Sequence, residues 1–148
     1  MNILVVEDDC FKYTRIEKLI RNEKPSSFID FFGNAREAVL FIKKNNPDKI
    51  ILDMSLPSHP QKKGEGSGLP LPKGGMEVIL TLRRIGKYSI PIAILTQYED
   101  IEINDEYYSV ADAKEIIVER YGIKNLTVAL YDNDSSDWEV IIKEFLSK

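Results

Sequence analysis

Two short apolar runs in this chain each end on acid. Ile3-Leu4-Val5-Val6 is closed by Glu7, Asp8 and Asp9, and Ile50-Ile51-Leu52 is closed by Asp53. Runs of this length, rich in Val and Ile, read as strands buried on both faces of a parallel sheet, and a carboxylate at the C-terminal end of such a strand emerges where these sheets bind ligands. Two such strands lying side by side make an acidic pocket.

The rest of the pattern supplies a frame for that pocket. Tyr13, Ile16, Leu19 and Ile20 recur at helical spacing and stop near Pro25. Phe28 to Phe32 reads as a strand, and Asn34 with Glu37 is a capping pair for a helix carrying Ala35, Ala38, Val39 and Ile42. Lys49 to Leu52 is a third strand, and Met76, Ile79, Leu80 and Leu82 mark a third helix ending near Gly86. Pro91 to Leu95 is a fourth strand, and Ser109 caps a helix carrying Val110, Ala113, Ile117 and Tyr121 that stops at Gly122. Leu126 to Leu130 is a fifth strand, and Ser136 with Glu139 has capping-box spacing ahead of Trp138, Ile141, Ile142, Phe145 and Leu146.

Strands alternating with helices five times predict an α/β fold with right-handed crossovers and helices on both faces of one sheet. In the doubly wound order 2-1-3-4-5 the first and third strands are central neighbours, and Asp8, Asp9 and Asp53 meet at the crest above them. Like charges about 4 Å apart repel by roughly 4 kcal/mol at an effective dielectric near 20. A hard divalent cation relieves that repulsion, and Mg2+ suits an all-oxygen site that must also admit a phosphoryl group. Asp8 and Asp9 are the expected holders of the ion, with Asp53 as a carboxylate nucleophile. Thr96, at the end of Ile92-Ala93-Ile94-Leu95, offers a hydroxyl for phosphoryl oxygens.

These segments together resemble the receiver domain of two-component response regulators. The likeness rests on Ile3 to Asp9, on Ile51-Leu52-Asp53-Met54-Ser55-Leu56-Pro57 and on Ile94-Leu95-Thr96. It implies a flavodoxin-like five-stranded parallel sheet, Asp53 as phosphoacceptor, Asp8 and Asp9 as the acidic metal-binding pair, and Thr96 as the switch hydroxyl. Asp53 and the backbone carbonyl of Ser55 complete the implied Mg2+ ligands. The implied partners are a sensor histidine kinase or phosphotransfer protein and a downstream protein, with a homodimer as a further option. A receiver of this kind is a signalling domain and not an enzyme.

The chain departs from that family in three places. Receivers usually carry a lysine at the end of the fifth strand, which pairs with the acceptor carboxylate and then with the phosphoryl group. Here the stretch is Val128-Ala129-Leu130-Tyr131-Asp132, Lys124 precedes the strand, and Lys143 lies well into the last helix. The expectation is a pocket one cation short. The family's switch aromatic would fall on Thr127 or Val128, and bulky Gln97 follows Thr96 where a small residue is preferred. A degenerate receiver that binds proteins without being phosphorylated is therefore the alternative reading.

Two segments lengthen the expected single domain over residues 1–148. A Gly/Pro-rich loop at about 58–75 follows the acceptor aspartate, either as a lid or partner contact or as plain disorder, with His59 a bystander. An acidic, tyrosine-bearing insertion at about 97–109 reads either as a partner contact or as a solvated loop. The 148 residues carry 20 basic and 24 acidic side chains with no dense basic cluster, which argues against direct nucleic-acid binding. The single cysteine, Cys10, permits no intrachain disulfide and is expected to be a small packed residue at a helix start. With no apolar run long enough for a membrane span and a strand beginning almost at Met1, the expected location is cytoplasmic. A haloacid-dehalogenase-like phosphatase is disfavoured because Asp53-Met54-Ser55 lacks a second acid two places on.

Overall fold

The computed structural model describes residues 1–56 and 74–148. Five parallel strands form one sheet: β1 (Asn2–Val6), β2 (Phe28–Phe32), β3 (Lys49–Leu52), β4 (Ile92–Thr96) and β7 (Leu126–Leu130), in the spatial order β2-β1-β3-β4-β7. This is the order read from the sequence, with β7 as the fifth strand of the expected sheet. The helices are α1 (Cys10–Glu23), α2 (Ala35–Lys44), α3 (Gly74–Arg84), α4 (Val110–Tyr121) and α5 (Asp137–Ser147).

The alternation of side chains along each strand feeds two apolar layers. Ile3, Val5, Ile51, Ala93, Leu95 and Ala129 face α1 and α5, where they pack with Ile16, Ile20, Trp138, Ile142 and Phe145. Leu4, Val6, Ile50, Leu52, Ile92 and Ile94 face the other way, toward Ala38 and Ile42 of α2, Ile79 and Leu82 of α3, and Ala113 and Ile117 of α4. Because both faces are covered, β1, β3 and β4 are apolar almost throughout, which is why they read as runs and not as alternations.

Register levels the strand ends at the crest. Val6 is paired with Leu52, and the Asp53 amide donates to the Val6 carbonyl at 3.0 Å, so the residues after β1 and β3 emerge side by side. On the far side of the sheet Thr96 is paired with Leu130, and the Tyr131 amide donates to the Thr96 carbonyl at 2.7 Å.

Several local expectations are corrected. The acidic insertion is not a solvated loop: β5 (Asp100–Ile103) and β6 (Glu106–Ser109) form an antiparallel hairpin. Its two-residue turn has both Asn104 (φ 51) and Asp105 (φ 65) in the left-handed region, as a twist-matched hairpin turn requires. Ile101 and Ile103 alternate inward and join the layer that holds Ile117 and Tyr121, each such burial being worth about 1.5–3 kcal/mol. Asn34 and Ser109 do cap their helices, accepting from Glu37 N at 2.9 Å and Asp112 N at 3.2 Å. Ser136 precedes α5 without a side-chain cap bond; the Glu139 amide bonds to its backbone carbonyl instead. Cys10 opens α1 but is exposed, not packed. The proposed lid over 58–75 falls outside the described residues except for Gly74 and Gly75, which begin α3.

Candidate functional site

The crest above β1 and β3 holds a cavity of about 220 Å³ lined by Glu7, Asp8, Asp9, Asp53, Ser55, Gln97 and Tyr98. Carboxylate oxygens of Glu7, Asp8 and Asp53 all lie within 4.8 Å of one another. Glu7 and Asp53 are buried, whereas Asp8 is exposed toward the opening.

Asp9, expected to pair with Asp8, lines the same cavity, but its Oδ1 is engaged at the start of α1. As the N-cap of α1 it accepts from the amides of Phe11 at 2.9 Å and Lys12 at 3.2 Å, satisfying donors that the first helical turn leaves open. The carboxylates that converge with Asp53 are therefore those of Glu7 and Asp8, one residue earlier than the sequence reading had them. An acidic triplet carries no periodicity that tells a cap from a ligand.

Ser55 closes the pocket on the β3 side. Its hydroxyl is 3.1 Å from each carboxylate oxygen of Asp53, and its amide donates to Asp53 Oδ1 at 3.2 Å. Thr96 is buried, and its Oγ1 accepts from the Tyr98 amide at 3.2 Å. On that side Gln97 and Tyr98 form the cavity wall.

The lysine expected to be missing from the end of the fifth strand is missing, but a cation not anticipated from the sequence stands beside the carboxylates. Lys12, buried to 1% exposure, extends from α1 to the carboxylates of Glu7 and Asp53. Its Nζ is 2.6 Å from Glu7 Oε2, 2.7 Å from the Leu95 carbonyl oxygen and 3.7 Å from Asp53 Oδ1. A signal for it existed: Lys12 stands one helical turn before Ile16 and shares the stripe of Ile16, Leu19 and Ile20 that faces the core. The end of β7 supplies no lysine. Tyr131 stands there, also buried, with its ring 5.3 Å from Lys12 Nζ. Arg15 stacks on the outer side, 5.5 Å from the Tyr131 ring and 5.2 Å from that of Trp138.

Negative charge still exceeds positive charge at this crest. Burial, and then the Asp53 charge, push the Glu7 carboxyl from its ordinary 4.5 up to about 8, against the pull of Lys12. The same two causes raise Asp8. A short contact to an ammonium does not by itself hold Glu7 ionised, because one cation must serve several acids. The donor set, three converging carboxylates with waters able to reach Asp8, fits Mg2+, a hard cation that takes oxygen ligands and retains part of its hydration.

The doubly wound sheet and the acids clustered above adjacent strand ends agree with the receiver domain that the sequence resembles. The response regulator receiver domain model matches residues 3–131, and the chain belongs to that family. It is 44% identical over 146 residues to the Detocs response regulatory protein DtcB of Vibrio alginolyticus, covering 97% of this chain and 98% of that one. It is 23% identical over 144 residues to the uncharacterized protein y4jR of Sinorhizobium fredii, covering 97% and 95%. Among solved structures, the Mn(2+)-bound form of response regulator Rcp1 superposes with a TM-score of 0.65 at 16% identity, covering 99% of this chain and 91% of that one. The receiver domain of sensor histidine kinase PA1611 from Pseudomonas aeruginosa PAO1, which has a magnesium ion in its active-site cleft, gives 0.59 at 17% identity, covering 99% and 98%. At these identities the structural likeness establishes the fold.

Proposed function

We propose that this chain is a phosphorylated signalling receiver whose acceptor is Asp53. The observation that carries the reading is the convergence of Glu7, Asp8 and Asp53 from two adjacent strand ends into one cavity beside a buried ammonium. An Asp53 carboxylate oxygen attacks the phosphorus of a phosphohistidine on a sensor kinase or phosphotransfer protein. The phosphorus–nitrogen bond breaks, and the freed imidazole takes up a proton. Glu7, Asp8, Asp53 and the carbonyl of Ser55 are the proposed holders of Mg2+. When bound, the ion shields the charge that otherwise keeps an anionic donor from an anionic acceptor. The Ser55 hydroxyl and amide orient Asp53 before transfer. Thr96 exchanges its bond from the Tyr98 amide for one to a phosphoryl oxygen, linking the modified site to the segment leading into the hairpin. Output is by docking to a downstream protein in the cytoplasm, and the extensive identity with a response regulatory protein supports a regulatory role of that kind.

The test is incubation with Mg2+ and acetyl phosphate, followed by intact mass and hydroxylamine cleavage. One acyl phosphate that disappears in Asp53→Asn supports the reading. No modification, with a competent kinase inactive as well, refutes it.

One observation favours the degenerate receiver as a second reading: Gln97 and Tyr98 stand in the cavity wall beside the acceptor, where donor access is needed. That reading requires partner binding to survive Asp53→Asn unchanged and phosphodonors to be ineffective.

A further inference from the structure

We propose that Lys12 performs in this chain the task for which a receiver ordinarily uses a lysine at the end of its last strand: it pairs with the acceptor aspartate and then with the phosphoryl group. The inference rests on Asp53 being the acceptor. It assigns the charge-neutralising role to a residue on a different element, the first turn of α1.

The three N–H donors of the ammonium account for the arrangement. One is directed to the Leu95 carbonyl at 2.7 Å, where β4 approaches its end, and one to Glu7 at 2.6 Å. These two fix the position of Nζ between β1 and β4. Asp53 Oδ1, at 3.7 Å, is within ion-pair range but beyond hydrogen-bond range. A donor therefore remains for an oxygen carried on Asp53.

The end of β7 explains why the cation comes from elsewhere. The Tyr131 amide is bonded to the Thr96 carbonyl, so residue 131 lies level with the switch hydroxyl. Its buried ring packs against Trp138, with a centroid separation of 5.1 Å, and lies 5.3 Å from Lys12 Nζ. An aromatic side chain fills the space beside the pocket at the end of β7, and its face supports an ammonium arriving from α1. Asp9 sets the approach by capping the helix through the Lys12 amide itself.

The experiment compares wild type, Lys12→Met and the double variant Lys12→Met/Tyr131→Lys, each verified as folded by circular dichroism. Phosphorylation by acetyl phosphate is followed on phosphate-affinity gels, and Mg2+ affinity by calorimetry. Lys12→Met is expected to slow phosphorylation by about 100-fold, the loss typical of removing one preorganised charge-stabilising donor. Its Mg2+ affinity should hold or rise, because Glu7 loses a competing cation. The double variant, with the lysine returned to the end of β7, should recover a large part of the rate. Where Lys12→Met does not fold, Lys12→Gln replaces it, keeping an N–H donor for Glu7 while removing the positive charge and leaving every proposed metal holder in place.

The proposal is overturned by wild-type labelling in folded Lys12→Met, by a parallel loss of Mg2+ affinity, or by a folded double variant that recovers nothing. A wild-type protein that accepts no phosphoryl group refutes the reading of Asp53 and the role of Lys12 with it. Labelling of wild type and Lys12→Met at the same rate refutes the lysine alone.

Discussion

The ammonium nitrogen of Lys12 stands 2.6 Å from Glu7 Oε2, and neither side chain exposes more than 2% of its surface. Removing one partner of such a pair leaves the other charge or donor buried without compensation. In EDTA and above about pH 8, where Glu7 is ionised, Lys12→Met should lower unfolding stability by about 3–5 kcal/mol. Combining it with Glu7→Gln should cost less than adding the two single effects, a coupling that urea melts of the four proteins would measure.

The raised Glu7 carboxyl gives stability a pH dependence of definite sign. Between about 4.5 and about 8 the folded protein holds a proton on Glu7 that the unfolded chain releases. The folded state binds more protons there, so this group's stabilising contribution is complete below 4.5 and is lost as pH rises through 8, with a slope of at most about 1.4 kcal/mol per pH unit. Metal-free protein should thus lose stability across this window, and Glu7→Gln should flatten the curve. Mg2+ requires the ionised carboxylate, so its affinity should increase over the same range in calorimetric titrations.

Asp8 and Asp9 should separate cleanly on substitution. Asp9→Ala removes the α1 cap and should destabilise the fold by about 1 kcal/mol with Mg2+ affinity little changed. Asp8→Ala should sharply weaken Mg2+ binding without a comparable loss of stability. Equal effects of the two on metal affinity would return Asp9 to the ligand set.

Gly75 lies against the turn that carries Asp53. A Cβ there would approach Met54 Cα to 2.5 Å and the Asp53 carbonyl oxygen to 2.9 Å, both closer than real contacts allow. Gly75→Ala should displace the Asp53-Met54 segment from α3, lowering stability by about 1–3 kcal/mol and slowing phosphorylation in proportion to the displacement of Asp53.

The strands that built the sheet were legible because burial on both faces leaves uninterrupted runs such as Ile3 to Val6, and the acids at their ends pointed to the crest. Asp53 and Asp8 could be picked out for that reason. The choice between Glu7 and Asp9 could not, because it depends on which carboxylate turns to the free amides of α1. The hairpin was hidden by composition: Glu99, Asp100, Glu102, Asp105 and Glu106 read as solvated, although Asp100 to Ile103 alternates and Asn104-Asp105 is a two-residue turn. Lys12 was not legible as a pocket cation because it stands far along the chain from the end of the last strand, whereas a pocket is filled in space by any element that reaches it.

A crystal structure with Mg2+ and beryllofluoride decides whether these separated residues form one phosphoryl-binding centre. Beryllium is expected on an Asp53 oxygen, the metal among Glu7, Asp8 and Asp53, and fluorine atoms within hydrogen-bond reach of Thr96 Oγ1 and Lys12 Nζ. Beryllofluoride absent from Asp53, or a metal held by Asp8 and Asp9 away from it, would rule that centre out.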